Sequence, residues 1–102
     1  MPKLVRDLIP QIIIKQGKIP ITRIVDIEEY KKELITKLTG EAHKFQKDKN
    51  IEEMADIIEV FEAILKIYGF THQELKTTRA RKNLEQGAFD KMIFLEEIKT
   101  TL

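Results

Sequence analysis

The chain has 102 residues, of which 18 are Lys or Arg and 17 are Asp or Glu, and its formal net charge at pH 7 is +1. Because these charges nearly cancel, nucleic acid is not expected as the main partner. The sequence contains no cysteine, which excludes disulfides, thiolate nucleophiles and cysteine-ligated metal clusters. Its two isolated histidines argue against a histidine metal site, so phosphate or metal chemistry must use carboxylates and a local basic cluster.

No apolar run in the chain approaches the roughly 20 residues that a membrane-spanning helix needs. The start of the chain, Met-Pro-Lys-Leu-Val-Arg, also lacks the apolar core of a signal peptide. We therefore expect a cytoplasmic protein with no membrane partner. The length suits a single domain, residues 1–102, whose small core favours association with further copies of the chain.

The first 25 residues predict an arm that packs against the rest of the chain. Pro10 suits the first turn of a short helix, because its fixed φ is helical and it has no N–H to leave unpaired. Gly17 and Pro20 then interrupt the regular structure. The β-branched segment at residues 21–25 predicts a short strand.

The longest helix is predicted from Asp26 to about Lys47, because Asp26 followed by Glu29 resembles a capping box. Its apolar stripe consists of Ile27, Tyr30, Leu34, Leu38 and Phe45. At about 100° per residue, Glu41 falls inside this stripe, where a leucine is expected. A carboxylate at such a position must be paired or bind a ligand.

A second helix is predicted from Asn50, whose capping partner is Glu53, to Gly69, a residue suited to a helix C-terminus. Its apolar residues cover more than half of its circumference. Such a helix is typical of the centre of a bundle and needs more partners than one neighbouring helix. We therefore expect a bundle completed by oligomerisation, as a homodimer or a homotetramer.

Thr71 and Glu74 predict the cap of a third helix, residues 73–84. This helix carries a basic cluster of Arg79, Arg81 and Lys82. Beyond it, the dense apolar residues at 92–98 predict a short strand that can pair with residues 21–25. The predicted fold is therefore an all-α antiparallel helical bundle, completed by oligomerisation, with short N- and C-terminal extended segments.

Three acidic residues converge in this arrangement. Glu53 and Asp56 lie three residues apart on the second long helix, one helical hairpin away from Glu41. Carboxylates that converge on an apolar interface repel one another and lose hydration, and a bound cation relieves both effects. Because Mg²⁺ prefers oxygen ligands and retains water, the three acids predict a magnesium site, with Mn²⁺ as an alternative ion.

The chemistry that suits such a site is hydrolysis of a phosphoanhydride, because a metal ion neutralises phosphate charge and activates water. Basic side chains are then expected to hold the outer phosphates. The candidates are Arg6, Arg79 and Lys82.

Each of these residues also has a purely structural interpretation. Glu53 can serve only as a capping residue, and Asp56 can be a solvated acid near a helix start. A salt bridge to Lys37 or Lys44 is a sufficient structural reason for Glu41. The basic cluster of the third helix is more often a solvated face near a helix C-terminus.

Four segments carry a resemblance to a known family: Lys3-Leu-Val-Arg-Asp-Leu-Ile-Pro10, Lys37-Leu-Thr-Gly-Glu-Ala-His-Lys-Phe45, Glu52-Glu-Met-Ala-Asp-Ile-Ile-Glu59 and Gln86-Gly-Ala-Phe89. In this order they resemble the MazG-like all-α nucleoside triphosphate pyrophosphohydrolases, in particular the short branch related to phosphoribosyl-ATP pyrophosphohydrolase. The resemblance implies a magnesium-dependent hydrolase that converts a nucleoside triphosphate to the monophosphate and pyrophosphate. It also implies a bundle shared between subunits and a house-cleaning role against non-standard nucleotides.

The family's metal motif combines Glu-x-x-Glu on one helix with Glu-x-x-Asp on the next. Glu53 and Asp56 match the second pair, and Glu41 begins the first, but Lys44 replaces its second Glu. This change should weaken a second metal more than a first, and it makes Lys44 a candidate to contact a substrate phosphate. It also keeps two rival functions open, a non-catalytic MazG-like nucleotide-binding module and a helical oligomerisation module.

Overall fold

Four α-helices make up the regular secondary structure of residues 2–101, the part of the chain that the computed structural model describes. They are α1 (Ile9–Lys15), α2 (Ile27–Lys47), α3 (Ile51–Tyr68) and α4 (His72–Gln86). Residues 2–101 contain no strand. The predicted all-α fold class is confirmed.

The chain divides by packing into two compact units. The first runs up to Phe70 and contains α1, α2 and α3, and the second starts at Thr71 and contains α4 and the C-terminal segment. The assignment of residues 1–102 to a single domain stays a prediction.

Helix α2 begins where its capping residue predicts. The backbone N–H of Glu29 donates to Oδ1 of Asp26 at 2.8 Å, which satisfies one of the unpaired donors of the first turn. The Glu29 carboxylate does not complete a capping box, because it accepts two hydrogen bonds from the Arg23 guanidinium, at 3.0 and 2.5 Å. The two charged hydrogen bonds between Arg23 and Glu29 take the place of the single bond that the Glu29 carboxylate would accept from the backbone N–H of Asp26 in a capping box.

Helices α2 and α3 form an antiparallel hairpin, because they pack against each other and only residues 48–50 connect them. The cap of α3 is the predicted one, with the backbone N–H of Glu53 donating to Oδ1 of Asn50 at 2.9 Å. Gly69 ends α3 in the left-handed region, at a φ of 72°, which glycine adopts without a Cβ clash. The buried apolar side chains of the described residues are Leu34, Val60 and Leu65.

Helices α1 and α4 also begin where their local sequence signals predict. Helix α1 has Pro10 in its first turn, as predicted. In the second unit, α4 has a complete capping box, in which the N–H of Glu74 donates to Oγ1 of Thr71 and the N–H of Thr71 donates to the Glu74 carboxylate. Both distances are 3.0 Å.

The predicted strands at residues 21–25 and 92–98 are wrong. Neither segment has regular secondary structure, and the side chains of Ile21 and Ile24 are 92% and 98% exposed. A β-branched sequence favours a strand only where a pleated surface is half buried, and an isolated pair of strands is marginally stable in water. The predicted pairing of the two segments has no counterpart in residues 2–101.

Helix α3 presents an apolar stripe to solvent near its N-terminus. Ile51, Met54 and Ile58 follow one another at helical spacing and are 80%, 37% and 50% exposed. An exposed apolar stripe of this kind suits an interface with another copy of the chain. Oligomerisation itself stays a prediction. Within residues 2–101, none of the helices is both long enough and apolar enough to cross a membrane.

Candidate functional site

The three acids predicted to converge lie together at the α2–α3 hairpin. Glu41 projects from α2, and Glu53 and Asp56 project from the start of α3. One carboxylate oxygen of each lies within 4.8 Å of the corresponding oxygens of the other two. The short connection brings the two helix segments side by side, and the three-residue spacing places Glu53 and Asp56 on adjacent faces of α3.

Glu41 is the buried charged residue of the described chain, with 3% of its surface exposed. Oε2 of Glu41 and Oε2 of Glu53 are both buried and accept no hydrogen bond from residues 2–101. A buried polar atom left without a partner costs about 1–3 kcal/mol. Burial of the Glu41 carboxylate therefore costs free energy, and a role in apolar packing alone gives no reason for a charged residue at this position.

Oxygen atoms without a hydrogen-bond partner, held by three converging carboxylates, have the donor chemistry of a hard divalent cation. Mg²⁺ and Mn²⁺ bind oxygen ligands and are commonly held by a few carboxylates together with substrate phosphates. The cluster offers no nitrogen or sulfur ligand. Glu41, Glu53 and Asp56 therefore fit the predicted ion.

The same carboxylates are also paired with cations of the chain. The Nζ atoms of Lys37 and Lys44 each lie 3.5 Å from Oε1 of Glu41, and the Arg6 guanidinium donates to Oδ1 of Asp56 at 2.7 Å. The salt bridges that form the structural alternative for Glu41 are thus present. They involve one oxygen of the carboxylate and leave Oε2 without a hydrogen bond.

A cavity of about 520 Å³ opens beside the acids, between the N-terminal arm and the α2–α3 hairpin. This volume is in the usual range for small-molecule sites, about 300–1,000 Å³. The cavity is lined by four carboxylates, those of Asp7, Glu41, Asp56 and Glu59, and by four cationic side chains, namely Lys3, Arg6, Lys37 and Lys44. The cavity therefore places positive charge next to carboxylates, an arrangement suited to a metal-bound polyanion.

Comparison of the chain with protein-family models, curated proteins and solved structures found no match. The resemblance to the MazG-like enzymes therefore remains an expectation drawn from the chain's own motifs.

The predicted phosphate-binding residues fall into two groups. Arg6 and Lys44 line the cavity beside the acids. Arg79 and Lys82 lie on α4, in the second unit, where both side chains are exposed. Arg79 lines a separate groove on that helix. The role of these two residues in phosphate binding stays a prediction.

Three charged residues of the cavity wall, Lys3, Asp7 and Glu59, are not among the predicted site residues. Lys3 was not singled out, although its spacing of three residues from Arg6 is a usable signal for a shared basic surface. Glu59 is exposed on α3 and also borders the cavity. The path of the N-terminal arm explains all three cases, because it adds a wall that no helical periodicity reveals.

Proposed function

We propose that the chain hydrolyses a nucleoside triphosphate to the monophosphate and pyrophosphate in a magnesium-dependent reaction, as the MazG-like enzymes do. The observation that supports this proposal is the cluster of Glu41, Glu53 and Asp56, which borders a cavity lined by four cationic side chains as well as by carboxylates. Carboxylates suit the metal, and guanidinium and ammonium groups suit the phosphates. A cavity that offers both within one unit matches a metal-bound triphosphate.

Each residue has a distinct task in this reaction. Glu41, Glu53 and Asp56 hold the metal, and Arg6 and Lys44 bind the phosphates and orient them. The chemistry that magnesium supplies when bound is neutralisation of phosphate charge and activation of the attacking water. In the hydrolysis, the water oxygen bonds to the α-phosphorus and its proton passes to solvent, while the bond between the α-phosphorus and the bridging oxygen breaks and pyrophosphate leaves with the electron pair.

The proposal is tested by measuring pyrophosphate release from canonical and modified nucleoside triphosphates, with Mg²⁺ or Mn²⁺. We expect metal-dependent release that Asp56→Ala lowers by at least about 100-fold, because changes to residues that merely support a metal ligand already cost about 10- to 100-fold. Glu53→Gln should have a comparable effect, since it retains the volume of the side chain and removes its charge.

Glu52→Gln is the matched control for Glu53→Gln. Glu52 is exposed, lies in the same first turn of α3 and is outside the carboxylate cluster. It should retain wild-type turnover. Absence of pyrophosphate release from every substrate in the panel, by folded wild-type protein, would reject the enzymatic proposal.

The ion pairs of Glu41 favour a second candidate function. Because Lys37 and Lys44 already neutralise part of its charge, the same cluster suits a non-catalytic nucleotide-binding or oligomerisation module. Such a protein would bind a metal-bound nucleotide, or only further copies of itself, without releasing pyrophosphate. Binding of a nucleotide measured beside the release assay separates this candidate from the enzyme.

We infer a cytoplasmic homodimer or homotetramer that removes non-standard nucleotides. The exposed apolar stripe of α3 at Ile51, Met54 and Ile58 supports self-association. The preferred base and sugar would emerge from the substrate panel.

A further inference from the structure

The cluster of Glu41, Glu53 and Asp56 is matched in number by the cations that contact it. Three carboxylates converge there, and three cations of the chain contact two of them, with Arg6 on Asp56 and both Lys37 and Lys44 on Glu41. A divalent cation arriving alone must therefore compete with groups that already neutralise its ligands. Like-charge repulsion from these groups opposes its binding directly.

Arg6 is the cation best placed to leave its carboxylate. Its contact with Asp56 is the shortest of the three, at 2.7 Å, but its side chain is 56% exposed and that of Asp56 is 39% exposed. An exposed ion pair of this kind contributes little to stability. Lys37 and Lys44 are 23% and 54% exposed, but the carboxylate that both contact, Glu41, is only 4% exposed, so the Arg6 pair is the one in which both partners reach solvent.

A polyphosphate offers Arg6 an alternative partner within the same cavity, whose wall Arg6 and Asp56 share. Guanidinium groups bind phosphate at least as well as carboxylate, often through two parallel hydrogen bonds. When a metal-bound polyphosphate enters, transfer of Arg6 from Asp56 to a phosphate frees a carboxylate oxygen for the metal. The two events favour each other.

We propose that Arg6 is an exchange residue, paired with Asp56 until a metal-bound polyphosphate arrives, and that it makes binding of the metal and of the polyphosphate mutually dependent. This inference rests on the proposed function and extends it by naming the residue that couples the two ligands. By linkage, the phosphate raises affinity for the metal by the same factor as the metal raises affinity for the phosphate.

The test uses two titrations of the full chain, one with Mn²⁺ alone and one with a preformed complex of Mn²⁺ and inorganic tripolyphosphate. Bound Mn²⁺ is measured by electron paramagnetic resonance. We expect Arg6→Ala to change the two affinities in opposite directions, with about 10-fold tighter binding of Mn²⁺ alone and about 10-fold weaker binding of the complex, within the usual range of coupling between sites.

Arg23→Ala is the matched control, because Arg23 is also an exposed arginine paired with an acid, Glu29, and it does not line the cavity. It should change neither titration. Arg6→Gln is measured in parallel, with helical content checked by circular dichroism, so that a folding defect in Arg6→Ala does not decide the result.

The outcomes separate the inference from the proposed function. If Arg6→Gln and Arg6→Ala shift both affinities in the same direction, or behave like Arg23→Ala, the exchange role is wrong while the metal site stands. If the wild type binds Mn²⁺ in neither titration, the proposed function fails and the inference fails with it. Loss of Mn²⁺ binding in Asp56→Ala identifies the site that is measured.

Discussion

Glu41 combines burial, negative charge and an oxygen atom without a hydrogen bond, and this combination is costly in a small protein. Its side chain is 4% exposed, and both of its ion pairs are long, at 3.5 Å. Two further carboxylates lie within 4.8 Å and repel it. A neutral residue of similar volume at position 41 would remove this like-charge repulsion, which opposes the ionised form of each carboxylate. The charge at position 41 therefore points to a role beyond packing.

We predict that Glu41→Gln raises the free energy of unfolding in the presence of a chelator by on the order of 1 kcal/mol, the size of the repulsion between two like charges about 4 Å apart in water, a rise of roughly 4–8 °C in melting temperature. The gain arises because the amide removes the carboxylate repulsion, while Lys37 and Lys44 still reach solvent. Thermal unfolding followed by circular dichroism measures it.

Added Mn²⁺ provides the internal control for this variant. A ligand that binds only the folded state raises its stability by mass action, so Mn²⁺ should raise the melting temperature of the wild type more than that of Glu41→Gln. If Glu41→Gln is less stable than the wild type, and Mn²⁺ changes the melting temperature of neither protein, Glu41 acts only as an acceptor of ion pairs.

At the scale of secondary-structure elements, the helix caps could be predicted because their chemistry is local. Asp26, Asn50 and Thr71 each accept a hydrogen bond from the backbone N–H three residues later, and the residue types alone predict this contact. The segment at residues 21–25 could not be predicted in the same way. Whether a β-branched segment forms a strand depends on a partner surface that its own sequence does not contain.

The capping box of α4 gives this helix a pH dependence of known sign. The backbone N–H of Thr71 holds the pKa of the Glu74 carboxylate below its ordinary value of 4.5. Because the pKa is lower in the folded state, the stabilisation is fully present above the ordinary value and is lost as the pH falls through the lowered one. We predict that protection of the first-turn amides of α4 declines over this acidic range, as measured by hydrogen exchange.

Glu74→Gln should abolish this acid dependence, since the amide cannot be protonated. Glu85→Gln serves as the comparison, because Glu85 pairs with Arg81 at the other end of the same helix and should leave the first-turn dependence intact. Acid sensitivity that persists in Glu74→Gln would assign the titration to another group.

At the scale of the whole molecule, helical periodicity predicts the acidic residues of the candidate site but not the contact that Arg6 makes with them. The position of Glu41 in an apolar stripe and the spacing of Glu53 and Asp56 predict the cluster of acids, because all three belong to a simple hairpin. The contact of Arg6 with Asp56 joins residues 50 positions apart. It depends on the path of an arm without helical periodicity, so no sequence pattern predicts it.

The exposed apolar stripe of α3 leads to a prediction about assembly. Burial of exposed side chains such as Ile58, which is 50% exposed, favours association by about 25 cal/mol for each Å² of apolar surface removed from water. We predict that the wild type is larger than one chain in solution and that Ile58→Glu shifts it towards a single chain. Size-exclusion chromatography with light scattering measures both masses.

Thr36→Glu is the matched control for assembly, because it adds the same charge at an exposed polar position of α2. It should retain the mass of the wild type. A wild-type mass equal to that of one chain at all concentrations would show that the stripe on α3 is not an interface between copies.

The three-residue connection between α2 and α3 also affects the order in which the site is assembled. Glu41 and Asp56 are only fifteen positions apart, so closing this hairpin loses little chain entropy and is a fast, local event. The arm that carries Arg6 must then close a loop more than three times as long. We therefore expect the carboxylates to meet, with Lys37 and Lys44 already beside Glu41 on α2, before Arg6 reaches Asp56.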